Sequence, residues 1–270
     1  MIKDLRNANA LLTGGSQGLG ALMARALAQA GVNLVLTARS ADKLQAVADE
    51  AKRFGVKAVT IPCDVTLATD RERLVREAEA ALGPLDILIN NAGAELVGNF
   101  LSKTPAELEQ MITTNLTAPI LLTRAIIPNM VARRRGHVVN LASLAGKMGL
   151  PFNATYGGTK AALLAWSSAL RLELEGSGVS VSVVTPGYVS KMGMFSRHNS
   201  KAPALLGESK PEDVARGVLR ALTTGAPEVI VNPRPFWPMH AAYVLAPELM
   251  VKSMHSLGII KFLKRTYDKH

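Results

Sequence analysis

Short apolar runs alternate with longer amphipathic stretches along almost the whole chain. The apolar runs at 8–13, 33–37, 57–62, 85–89, 136–141, 179–185 and 229–231 are too short for helices and read as strands. They are near-continuously hydrophobic rather than alternating, as strands buried on both faces are. Between them lie stretches with helical periodicity: from Gly20 to about Ala30, then 41–54, 67–81, 105–132, 153–175 and 211–224. Strand and helix alternate without a break in composition, which predicts one α/β domain. Its seven-stranded parallel sheet is doubly wound, with helices on both faces. The alternation ends near residue 232. Residues 233–270 form an extension in which Pro233, Pro235, Pro238 and Pro247 predict an irregular first part. A helix follows from Pro247, with Leu249, Met250, Met254 and Leu257 along one side. Residues 190–210 lack periodicity and read as a lid or binding loop carrying Met192, Met194 and Phe195.

Composition narrows the setting. The chain has 270 residues, 48% of them hydrophobic and 19% charged, so it buries a sizeable core. Its single Cys63 excludes an intrachain disulfide and fits a reducing compartment. The first residues show no signal-peptide pattern, and no apolar run reaches the length of a membrane span. A cytoplasmic protein is the expectation. The formal net charge is +10, and from Lys191 onward 12 Lys/Arg stand against 6 Asp/Glu. This basic excess is either a solvated surface or an attraction to anionic ligands: a phosphorylated cofactor, an acidic carrier protein or a membrane surface. No nucleic-acid motif accompanies it. The five His residues show no metal spacing.

Candidate chemistry gathers where strands end. After the first strand comes Thr13-Gly14-Gly15-Ser16-Gln17-Gly18-Leu19-Gly20, then a helix. Glycines let backbone approach a pyrophosphate, and the free N–H groups of a helix start face it. The second strand ends in Ala38-Arg39-Ser40. An acidic residue there would hold a ribose 2′-hydroxyl, whereas Arg39 offers a fork of donors to a 2′-phosphate. Asp64 either accepts from an adenine amino group or caps the helix after it. Cys63 reads as a small core residue. Asn90-Asn91-Ala92-Gly93 ends the fourth strand with small and amide side chains that suit close passage of a ligand. Asn115, unfavourable in mid-helix, is a satisfied buried amide or marks a functional kink. Arg133-Arg134-Arg135 closes its helix where cations suit the dipole. Ser143 follows the fifth strand and precedes Tyr156 by 13 residues. A helical Tyr156 and Lys160 lie one turn apart on the same side. A phenol has a pKa of about 10, and a nearby ammonium would pull it down toward the range useful to a general acid.

Taken together, over roughly residues 8–232, these motifs resemble the short-chain dehydrogenase/reductase family. The resemblance rests on the glycine turn, the Asn90–Gly93 stretch, Asn115, Ser143, the Tyr156–Lys160 helix and Pro186-Gly187 after the sixth strand. It implies a Rossmann-like fold, NAD(P) binding and an Asn115–Ser143–Tyr156–Lys160 tetrad. Tyr156 would protonate a carbonyl oxygen that Ser143 orients. Lys160 would bind the nicotinamide ribose and lower the Tyr pKa, and Asn115 would hold a relay water. Gly14, Ser16, Gln17, Gly18, Leu19 and Gly20 would line the cofactor cleft. So would Asp64 with Val65, Asn91 with Ala92 and Gly93, and Pro186 and Gly187 with Val189 at the carboxamide. Where the family often has Thr two residues beyond that Val, this chain has Lys191. With Arg39, the expectation is an NADP(H)-dependent carbonyl reductase or alcohol dehydrogenase on a hydrophobic ketone or alcohol: a steroid, lipid or acyl compound. Rival readings are a 3-oxoacyl-carrier-protein reductase, its carrier docking near Arg133–Arg135, and a non-catalytic NADP(H) sensor. The extension packs on the body or a neighbouring subunit, walls the substrate site, or makes a peripheral membrane contact. A homodimer or homotetramer is expected, pairing through the helices at 105–132 and 153–175.

Overall fold

The sheet carries the whole arrangement. A computed structural model describes residues 4–190, 192 and 207–267. Its strands are β1 (Asn9–Thr13), β2 (Asn33–Ala38), β3 (Ala58–Pro62), β4 (Ile87–Asn90), β5 (Gly136–Leu141), β6 (Val179–Pro186) and β7 (Glu228–Val231). They form one seven-stranded sheet in the order β3-β2-β1-β4-β5-β6-β7, with every neighbouring pair parallel. The order reverses between β1 and β4. In a sheet of this kind ligands bind in the crevice outside the carboxyl ends of the strands at that switch.

Adjacent strand residues serve opposite layers, as a period of two requires. Leu12, Leu36 and Ile89 face one core with α1 (Gly18–Gln29), α2 (Ala41–Lys52) and α7 (Pro211–Thr224). Leu11, Val35 and Leu88 face the other, against α3 (Ala68–Leu82) and α5 (Ala118–Ala132). Each such buried Leu or Ile contributes about 1.5–3 kcal/mol. The stretch expected as one helix at 105–132 divides: α4 (Pro105–Ile112) passes through a π-helical turn (Thr113–Thr117) into α5. The next long helix is α6 (Ala154–Glu173).

The triple arginine does more than close a helix. Arg133 caps α5, and it joins Arg135 on the carboxylate of the nearly buried Asp86 at 2.9 and 3.0 Å. Asp86 also accepts from the Asn9 N–H at 3.2 Å. This knot ties α5 to the amino ends of β1, β4 and β5, at the opposite end of the sheet from the switch crevice. Asp86→Asn is expected to lower stability by about 2 kcal/mol, because two cations lose their shared partner. Chemical denaturation measures it.

The extension is more regular than its prolines suggest. It folds as α8 (Trp237–Leu245), α9 (Pro247–Ser256) and α10 (Ile259–Tyr267). Pro238 and Pro247 stand in first turns, where a missing N–H leaves no bond unmade. Met250 and Met254 of α9 turn inward as expected, but Leu249 and Leu257 are exposed.

Candidate active site

β1 runs into the glycine turn at the crevice. Gly14 and Gly18 have φ of 68° and 58°, in the region that favours glycine. A Cβ on Gly20 would strike the Gly14 carbonyl and the Asn91 amide. The turn is braced across the sheet. Asn91 Nδ2 donates to the carbonyls of Thr13 (2.9 Å) and Gly14 (3.1 Å), and the N–H groups of Asn91 and Ala92 both donate to Thr13 Oγ1 at 3.0 Å. No side chain caps the start of α1, whose first N–H groups open onto the cleft. The geometry fits a pyrophosphate.

One cavity of about 1340 Å³ passes over this turn. It is lined by Gly14, Ser16, Gln17, Gly18, Leu19 and Gly20, then by Arg39, Asp64, Val65, Asn91, Ala92 and Gly93. Beyond the middle it is lined by Ser143, Tyr156, Lys160, Pro186, Gly187 and Val189. Every residue expected at the cofactor cleft therefore borders it, and of the four expected catalytic residues only Asn115 does not. Arg39 is exposed at its rim. Lys43, overlooked in the sequence, stands nearby in the first turn of α2 and donates to Gln17 Oε1 at 3.2 Å. The available signal was a second cation four residues after Arg39. Asp64 does not cap α3: its Oδ1 accepts from the N–H and hydroxyl of Thr66 at 2.9 and 2.7 Å. The Cys63 thiol is pushed up to about 11 by burial, in keeping with a core role.

The four candidate catalytic residues come from three elements. Ser143 follows β5, and its hydroxyl also accepts from the Ala145 N–H at 3.2 Å. Tyr156 and Lys160 rise from the first turns of α6. A Cβ on Gly157 would lie 2.9 Å from the Ala145 carbonyl, and one on Gly146 would press on the Lys160 backbone at 2.6 Å. These glycines let the Ser143 loop settle on the helix, where Ser143 hydrogen-bonds the Tyr156 hydroxyl. Asn115 is fully buried in the π-helical turn. Its amide accepts from the Ala94 N–H (2.8 Å) and donates to the Ala94 carbonyl (2.8 Å) and Thr159 Oγ1 (3.2 Å). It is thus both a satisfied amide and part of a helix irregularity, tying the segment after β4 to α6.

The electrostatics run against the expectation from spacing. Lys160 Nζ lies 5.6 Å from the Tyr156 ring centroid, over its face, and donates to the Leu141 carbonyl at 2.7 Å. Burial raises the Tyr156 phenol above its ordinary value, Glu95 raises it further, and the Ser143 hydrogen bond opposes them. Burial also pulls the Lys160 ammonium down to about 8, with Glu95 opposing. In the protein alone, desolvation outweighs the pairing that was expected to depress the Tyr pKa. Glu95 is the second residue that sequence reasoning missed. It lines the cavity and accepts from Asn153 Nδ2 at 2.9 Å. Its only signal was an acid two residues beyond Gly93.

The far end of the cavity is apolar. Leu144 and Met148 beyond β5 pack with Phe236 and Met254 of the extension, and Met239, Met250 and Ile259 join them. Tyr243 receives the Gly149 N–H at 3.2 Å. The expectations concerning Lys191, Met194 and Phe195 fall outside the described residues, while Met192 borders the cavity. Among the described residues no cluster of His, Cys, Asp or Glu could hold a metal ion, and no helix is long and apolar enough to cross a membrane.

Comparison with known proteins places this arrangement. Residues 8–202 match the family model described as short chain dehydrogenase, and the chain belongs to that family. It is 45% identical over 225 residues to "Ketoacyl reductase HetN" of Nostoc sp., covering 83% of this chain and 78% of that one. It is 33% identical over 272 residues to "Dehydrogenase/reductase SDR family member 7B" of Bos taurus, covering 93% and 82%. Among solved structures, a metagenomic short-chain oxidoreductase in complex with NADP is 34% identical, with a TM-score of 0.73, covering 86% of this chain and 99% of that one. The protein is therefore an oxidoreductase acting on CH–OH or C=O groups, in a family that uses NAD(P).

Proposed function

We propose that this protein is an NADP(H)-dependent carbonyl reductase or alcohol dehydrogenase for a hydrophobic ketone and its secondary alcohol. The observation carrying this reading is the continuous cavity over the carboxyl ends of the strands. It joins a phosphate-binding turn and Arg39 at one end to a methionine-rich apolar chamber at the other, with Ser143 and Tyr156 between. When bound, the dinucleotide supplies or accepts the hydride. The chain manages the proton and the position of the carbonyl. In reduction, the Tyr156 hydroxyl gives its proton to the substrate oxygen while Ser143 holds that oxygen in place. Lys160 would hold the nicotinamide ribose, and Asn115 would fix the segment after β4 against α6. Met148, Met239, Met250 and Met254 suit apolar substrates of varied shape.

A ketoacyl thioester lies within this substrate class, and the similarity to a protein named ketoacyl reductase favours it. A carrier docked near Arg133–Arg135 would sit at the wrong end of the sheet to deliver it. Pairing into a dimer or tetramer through α5 and α6 is supported by the exposed Leu121 and Leu172 on those helices.

Fluorescence titration with NADPH and NADH tests the cofactor reading. Arg39→Ala is expected to weaken NADPH about tenfold or more, and Arg39→Ala with Lys43→Ala further, while NADH is nearly unaffected. Equal affinity of the wild type for both would overturn the NADP assignment. A panel of hydrophobic ketones that includes ketoacyl thioesters then tests the substrate class.

A further inference from the structure

The outer face of the extension is apolar where solvent should favour polarity. Trp237 is 71% exposed, Val244 61%, Leu245 84% and Leu249 65%. Trp237, Val244 and Leu245 share one side of α8 by their spacing of seven and eight. Leu249 stands just beyond the Ala246 junction, at the start of α9. Their neighbours on the inner faces, Met239, Met250 and Met254, are spent on the cavity wall, and Tyr243 packs with them. The exposed set is therefore surplus to the fold. Isolated surface leucines need no explanation, but several around one helix corner do.

The charge along the extension is one-sided. Arg234, Lys252, Lys261, Lys264 and Arg265 are exposed, and Glu248 is the one carboxylate between Pro233 and Tyr267. α10 repeats the design: Leu263 is buried against Val97 while Lys261, Lys264 and Arg265 face outward. A second copy meeting this patch through two-fold symmetry would bring cations against cations. An anionic lipid surface accepts both components, apolar side chains below the headgroups and cations among them.

We infer that α8 and α9 dock this protein on the surface of an anionic lipid bilayer. Leu257, which both lines the cavity and is exposed, then sets the chamber's mouth beside the membrane. A hydrophobic ketone would enter from the lipid without crossing bulk water. Only this last consequence rests on the proposed function; the docking does not.

Cosedimentation with vesicles tests it on the full chain, without substrate or NADPH. The wild type is expected to bind vesicles of phosphatidylcholine with phosphatidylglycerol, to bind less as salt rises, and to leave pure phosphatidylcholine largely unbound. Leu245→Glu with Leu249→Glu should weaken that binding about tenfold or more. Both side chains are exposed and neither lines the cavity, so melting temperature and turnover of a short water-soluble ketone should not change. Failure of the wild type to bind anionic vesicles overturns the inference, as does undiminished binding by the double variant. A double variant that splits a dimer, or releases an acidic carrier protein, while the wild type ignores vesicles overturns it in favour of a protein partner. Loss of the proposed activity would leave the vesicle result standing.

Discussion

Tyr156→Phe is expected to lower turnover by about three orders of magnitude while NADPH affinity stays within about twofold. The substitution removes one oxygen from a position deep in the cleft and leaves the ring that packs under Lys160 Nζ. What disappears is the proton donor and the acceptor of the Ser143 hydrogen bond. Positioned general acids contribute about 10²–10⁴-fold, and a loss of about 10³ lies in the middle of that range. The pH profile adds a second readout. Burial and Glu95 hold the phenol above its ordinary pKa, so it keeps its proton throughout the neutral range. Reduction, which needs the protonated form, should show no fall from this group across neutral pH. Oxidation, which needs the phenolate, should rise as the medium becomes alkaline. The alkaline rise should vanish in the Phe variant. If its turnover stays within tenfold of the wild type, the proton comes from elsewhere and the assignment of Tyr156 fails.

Much of this was legible in the sequence for one reason: strands buried on both faces leave unmixed apolar runs. All seven were visible, and the residues after β1, β2, β4, β5 and β6 could be read as lining one crevice because parallel strands end together. Local chemistry with a strong backbone requirement was also visible, as at Gly14 and Gly18. Three things were not. The prolines of the extension suggested an irregular first part, where Pro238 in fact stands in the first turn of a helix. The inward side of α9 was half right, since Met250 packs against the cluster of Phe236 and Met148 while Leu249, the residue before it on the helix, stays exposed. The direction of the Tyr156 and Lys160 shifts was missed altogether. Spacing along one helix reports which groups are neighbours; it says nothing about the solvent that β5, the Ser143 loop and Glu95 remove from around them.

Lys160→Met is expected to make the protein more stable at neutral pH while lowering activity at least about a hundredfold. Lys160 is 4% exposed, and its pKa in the folded chain lies at about 8 against an ordinary 10.5. Below pH 8 the ammonium is charged in both states, and folding bears the full cost of burying it. As pH rises from about 8 toward 10.5 the folded chain releases the proton while the unfolded chain keeps it. Stability therefore climbs through that window and the cost is gone above it. The shift corresponds to about 3 kcal/mol, from which roughly 1 kcal/mol is withdrawn when the Leu141 carbonyl loses its donor. Methionine fills a similar volume without a charge, so a net gain of about 2 kcal/mol is expected at pH 7, visible as a rise of several degrees in melting temperature. The gain should shrink toward pH 10, where wild-type Lys160 is already neutral. A variant less stable than the wild type at pH 7 would show that the ammonium is not a burden on the fold. A stabilised but inactive variant would show that the chain tolerates a buried charge for its chemistry, and that Lys160 is held there against the preference of folding.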